Sequence, residues 1–157
     1  MCLIAHIASR SALTGVPWDD AAPSLLVKPL ADPYRPVTAV FSNPQVSSVG
    51  SYEEGCACYF RHVWRGDDND SPELELTPDE FGHLEPEPMH VTASTAALVA
   101  LLHAVAIRDG GAEVYAFWDG DQDLPPIDTV RLHLAELKPE TFLVVERRLL
   151  VIEGQGA

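Results

Sequence analysis

The chain has 157 residues, 46% of them hydrophobic, and a formal charge of −14. That length suits one domain with enough apolar mass for a core. So negative a surface repels phosphate backbones and anionic bilayers, which argues against nucleic-acid and membrane partners.

The start, M-C-L-I-A-H-I-A-S-R, lacks the basic n-region of a signal peptide, and no apolar run nears the ~20 residues of a membrane span. Three cysteines are an odd and sparse set, unlike a secreted disulfide scaffold. The expectation is a cytoplasmic protein with reduced thiols.

Residues 2–8 (C-L-I-A-H-I-A) read as a strand. Ser11 to Pro36 carries five prolines and reads as irregular, with a brief strand at Leu25–Val27. Val37–Phe41 is β-rich and broken by Asn43-Pro44. Val46–Tyr52 and Cys56–Trp64 flank a Glu54-Gly55 turn and predict a hairpin.

Residues 66–88 hold 9 of the 24 acids, four prolines and no Lys or Arg, which predicts a solvated loop. Within it, Thr77-Pro78-Asp79-Glu80 spells a capping box for about one helical turn. The main helix is predicted over about Thr92–Asp109, capped by Thr92, Ser94 or Thr95. Leu98, Leu101, Leu102 and Val105 form its apolar stripe, and Gly110-Gly111 its stop. Ala112–Trp118 and Thr129–Leu134 read as strands. The β-branched content of Thr141–Glu153 favours a strand there too.

The chemistry-bearing stretch is G-C-A-C-Y-F-R-H, Gly55 to His62. In a strand, alternation puts Cys56, Cys58, Phe60, His62 and Trp64 on one face. The same rule puts Cys2, Ile4 and His6 together. If those faces align, Cys2, Cys56 and Cys58 converge with His6 or His62 nearby. Three thiolates and an imidazole make a tetrahedral set for zinc, and soft ligands also suit Cu(I). A dithiol redox centre is the other use. A Cys56–Cys58 disulfide across one strand would span ~6.6 Å at Cα, near the relaxed limit. Against both stands simple burial, since free cysteine packs as a small hydrophobe.

Other motifs carry less. An N-terminal Cys2 nucleophile is known in class II glutamine amidotransferases, but there glycine follows the cysteine, and here Leu3 does. Asp119-Gly120-Asp121-Gln122-Asp123 fails as an EF-hand, because Leu124 and Val130 stand where glycine and glutamate are needed. His103, read in the helix, and His133, read in a strand, have no evident partner, and His83 and His90 flank the acidic loop. No H-E-x-x-H, G-x-S-x-G, P-loop or G-x-G-x-x-G pattern occurs.

The stretch V-G-S-Y-E-E-G-C-A-C-Y-F, with the later E-V-Y-A-F-W-D-G-D and F-L-V-V-E-R-R-L, resembles a group of small bacterial proteins sharing G-C-x-C-x-F and W-D-G-D. The likeness covers Val46–Phe60 and about Leu98–Leu149. Ala57 stands where that group has glycine, and the acidic loop is this chain's own. The resemblance implies no activity.

The expected fold is a single α+β domain, a mixed or mostly antiparallel sheet of about five strands packed on the Thr92–Asp109 helix. The expected function is either a thiol site, holding a soft metal such as zinc or doing redox chemistry, or a non-catalytic binding protein whose cysteines only pack.

Overall fold

Strand β1 (Leu3–Ser9) lies at the centre of the fold, and all seven of its residues are buried. It is apolar on both faces because both faces are covered. The computed structural model describes residues 2–22, 24–65, 74–76 and 88–154, with the backbone alone at 74–76 and at Pro88.

β1 is followed by β2 (Leu26–Pro29), β3 (Gln45–Gly50), β4 (His62–Trp64) and β5 (Leu74–Leu76). Helix α1 (Pro88–Asp109) precedes β6 (Gly111–Trp118), β7 (Asp128–His133), β8 (Val144–Val145) and β9 (Arg148–Glu153). The main sheet runs β2-β3-β1-β6-β9-β7 and a small one runs β5-β4-β8. The β7–β9 pair is parallel and the other main-sheet pairs are antiparallel. The chain is thus an α+β protein with a mixed sheet and one main helix, as expected.

Parity on β1 sorts its neighbours. Leu3, Ala5 and Ile7 pack with Leu98, Val99, Leu102, Val105 and Ala106 of α1. Full burial of Leu98 and Leu102 contributes about 2 kcal/mol each. Ile4 and Ala8 face the other way, onto Val37, Phe41, Tyr115 and Phe117.

Several local expectations are corrected. Val37–Phe41 is not a strand. Asp32–Val40 forms a 3-10 helix instead, with proline in its first turn and Pro36 inside it. Proline fixes φ and removes backbone donors, so the β-branched run cannot join a ladder. Its i, i+3 spacing brings Tyr34, Val37 and Val40 onto the second face of the sheet.

Cys56–Trp64 is not one strand, and no hairpin forms with β3: only His62–Trp64 is extended. The acidic 66–88 stretch contributes a strand, β5, antiparallel to β4. The predicted turn of helix at Thr77–Glu80 lies outside the described residues.

α1 begins at Pro88, so Thr92, Ser94 and Thr95 are interior rather than caps. Buried Thr95 accepts the Arg61 N–H at 2.9 Å and ties the cysteine-bearing segment to the helix. The helix ends at Gly110, whose φ of +82° suits glycine. The 21 residues Met89–Asp109 include an 18-residue window of mean hydropathy 1.7, long and apolar enough by length and composition to cross a bilayer, contrary to the expectation that no such run exists. Here that apolar character is spent on the sheet.

Candidate functional site

The C-x-C segment is a loop folded onto the first residue of the central strand. Gly55 has φ +93°, and an added Cβ on Gly50 would lie 2.7 Å from the Gly55 Cα. The two glycines let the turn double back on the end of β3. The Ser51 N–H donates to Cys56 O at 2.8 Å. The Tyr59 N–H donates to the Ser51 hydroxyl oxygen at 2.9 Å. Ala57 N–H then donates to Leu3 O at 2.8 Å, which locks the loop to β1.

That lock has a testable consequence. Gly50→Ala should cost roughly 1–3 kcal/mol in urea unfolding, as an overpacked contact does. It should also raise the rate at which native cysteines react with a thiol reagent, because the displaced turn carries Cys56. Unchanged stability and unchanged thiol rate would sink this account of the turn.

All three cysteines meet here, and all are free. The Leu3 N–H donates to Cys58 Sγ at 3.3 Å, and the Cys58 N–H to Cys56 Sγ at 3.3 Å. The Cys56 thiol has those of Cys2 and Cys58 as neighbours, close enough for each to shift the next one's titration. Cys2 and Cys56 are half-buried, while Cys58 is 5% exposed.

The chain of thiols polarises itself. The S–H of Cys56 and the amide of Leu3 favour a thiolate on Cys58 and lower its pKa against the cost of burial. Cys56, as donor to Cys58 and itself buried, is pushed up. Cys2 is pushed up by burial and by the neighbouring Cys56 and Asp119 charges. Of the three sulfurs, the innermost is thus the one on which the surroundings favour a negative charge.

The strand picture that brought these residues together is corrected in its reason. Cys56 and Cys58 do not share a strand face. Cys58 packs on the helix side of the sheet and Cys2 on the other side, and they meet around the end of β1.

The two candidate histidines do not complete the set. His6 shares the Cys2 side, but four residues along a strand is ~13 Å. Its ring stacks on Phe117 with centroids 5.5 Å apart. His62 points its Nδ1 at Phe60 O, 3.0 Å away, with its ring edge-on to Trp118. Among the described residues, no three His, Cys, Asp or Glu side chains are placed to share a metal ion.

The rim of the site was not legible in the sequence. Tyr34 Oη donates to Asp119 Oδ1 at 2.9 Å, and Asp119 N–H donates to Cys2 O at 2.8 Å. Burial and Asp119 push the Tyr34 phenol up to about 12. On the other flank Trp18, Tyr52, Tyr59 and His90 pack ring to ring, with Tyr59 and His90 stacked at 4.7 Å. The Asp119-Gly120 pair closes the end of β6 as a turn, with φ +106° at Gly120.

What the fold and site define is an α+β protein with a three-thiol cluster at one end of its central strand. Compared with protein-family models, curated proteins and solved structures, the chain matches none of them.

Proposed function

We propose that this is a thiol redox protein in which Cys56 and Cys58 cycle between dithiol and disulfide, with Cys2 as a supporting donor. The observation that carries this reading is the pair Cys56 and Cys58, tied by the Cys58 N–H donating to Cys56 Sγ at 3.3 Å, with the Leu3 N–H on Cys58 Sγ at 3.3 Å, Cys2 as a neighbour and the Cys58 thiol lowered. A depressed thiol pKa beside a second thiol is the usual arrangement for exchange chemistry.

The step balances with an external disulfide as oxidant. Cys56, half-exposed, passes its proton along the hydrogen bond to the Cys58 thiolate. Its sulfur then attacks the external disulfide, forming a mixed disulfide and releasing one thiolate, which takes the proton back from Cys58. The Cys58 thiolate attacks Cys56 Sγ and expels the second thiolate. Two protein sulfurs are oxidised, and one external disulfide becomes one thiol carrying the Cys56 proton and one thiolate that takes its proton from water.

The competing reading is that the cysteines only pack, which the near-complete burial of Cys58 favours. Oxidation of native protein with 2-hydroxyethyl disulfide, followed by peptide mapping, separates the two. The expected product is a Cys56–Cys58 disulfide, absent in Cys56→Ser and retained in Cys2→Ser. Cys56→Ser should slow the loss of native thiols at least tenfold, since only Cys56 is both accessible and coupled to Cys58. Three thiols that react only after denaturation would leave packing as their role. One tightly held zinc per chain that shields them from the reagent would replace redox chemistry with metal binding.

A further inference from the structure

We propose that the four-ring cluster beside the C-x-C turn, Trp18, Tyr52, Tyr59 and His90, binds the head of a small quaternary ammonium compound. This site is independent of the chemistry of the thiols.

Each ring adjoins two others, so the four close a circuit. Their centroids lie 6.0 Å apart for Trp18–Tyr52, 5.6 Å for Tyr52–Tyr59, 4.7 Å for Tyr59–His90 and 5.9 Å for His90–Trp18. Tyr52 is tilted by 57° to Trp18 and by 55° to Tyr59, so the circuit is not a flat stack. Ser51, fully buried, pins it in place. Its hydroxyl accepts the Tyr59 N–H at 2.9 Å, and its carbonyl, which can only accept, takes the His90 Nε2–H at 3.0 Å. Neither apolar core includes any of the four rings. Trp18, Tyr59 and His90 are half-buried, Tyr52 is 40% exposed and the adjoining Met89 80%. Apolar side chains gathered at a surface, rather than scattered over it, mark a binding site.

Charge selects the ligand. The face of an aromatic ring is negative and attracts a cation. Asp19 and Asp20 follow Trp18 in the chain, Glu53 and Glu54 follow Tyr52, and all four are exposed. Asp20 Oδ1 accepts the Trp18 Nε1–H at 2.9 Å, which puts one carboxylate at the edge of the circuit. Against these stands Lys28, whose ammonium donates to Glu54 O at 3.2 Å. The balance disfavours an anionic ligand. A primary ammonium brings three N–H donors that ring faces satisfy poorly. A fully alkylated one brings none, and its methyl groups pack on the rings as apolar surface.

Choline and its uncharged carbon isostere, 3,3-dimethylbutan-1-ol, share one shape, and ethanolamine carries the charge without the methyl groups. Each is titrated into the reduced protein at millimolar concentration and constant ionic strength while NMR shifts are followed. Choline should bind about tenfold tighter than the isostere and about fivefold tighter than ethanolamine. Its shifts should centre on Trp18, Tyr52, Tyr59 and His90. Tyr52→Leu keeps an apolar side chain without the ring face and should weaken choline about fivefold, while Tyr52→Phe should stay within about twofold of wild type. Trp18→Leu should repeat the loss, and unchanged urea midpoints would show that all three variants are folded. Ethanolamine or the isostere binding as well as choline, no binding of choline, equal losses in Tyr52→Phe and Tyr52→Leu, or shifts centred away from the rings would each overturn the proposal.

Discussion

Glu113→Leu should destabilise the protein by about 3 kcal/mol or more at neutral pH, among the largest effects of any single side chain. Glu113 sits on β6, is 3% exposed, and among the described residues accepts hydrogen bonds only from Ser42 and Asn43. The Asn43 N–H and side-chain amide reach Oε2 at 2.8 Å each, and the Ser42 hydroxyl reaches Oε1 at 2.7 Å. Burial alone would raise the pKa of this carboxyl, but the Ser42 and Asn43 donors outweigh it and hold the group below its ordinary range.

Leucine keeps the volume and strands those donors in a dry site, where each unmet backbone amide costs about 1–3 kcal/mol. The bonds also anchor the junction between the 3-10 layer and β3. Urea unfolding of Glu113→Leu and Glu113→Gln checks the point. Gln should fall between wild type and Leu, and a loss under about 1 kcal/mol for Leu would show that the junction holds without the carboxylate.

The second large effect is a loss of stability in weak acid, centred on His6. Its ring is fully buried between Phe117 and Tyr34, and among the described residues neither nitrogen has a hydrogen-bond partner. Burial pulls its pKa from 6.5 down to about 4. Below pH 6.5 the unfolded chain takes up a proton that the folded chain refuses until about pH 4. Stability should therefore be flat above that window and fall by about 3 kcal/mol through it. His62, lowered in the same direction by burial, steepens the fall. Glu113 adds its own loss only lower, below the ordinary carboxyl value of 4.5.

His6→Phe removes two unpaired polar atoms. It should raise stability at neutral pH by about 1–3 kcal/mol and flatten much of the fall between pH 6.5 and 4. Denaturation midpoints at both ends of the window decide it. The same fall in the variant as in wild type would clear His6 of the effect.

The sequence carried its strongest signal where periodicity is set by two neighbours rather than by the whole fold. Alternation in β1 put Cys2, Ile4 and His6 on one side, and the structure has them there, beside Phe117. The apolar stripe of α1 and the β-branched stretch of β9 were likewise legible. Val37–Phe41 was not, because strand propensity is a fit to a pleated surface and two nearby prolines deny it one.

Parity brought Cys2 toward the C-x-C segment, yet the contact comes from backbone bonds between Ala57 and Leu3 that no side-chain pattern encodes. The histidines were misplaced because parity fixes a side of the sheet but not a distance along it.

The order of the main sheet leaves two strands, β2 and β7, each with one unpaired side. Such flanks invite strand addition by another chain. β2 is only four residues long and ends at Pro29, and Val16 pairs with Val27 across its outer side at 2.9 Å. β7 alternates half-buried residues with exposed Thr129, Arg131 and His133, and Arg131 is held by Glu153 at 3.0 Å. One flank is short and already bridged from within the chain; the other carries charge and polarity outward. The central sheet can keep its long apolar strands β1 and β6 because the strands guarding them make poor templates for self-association.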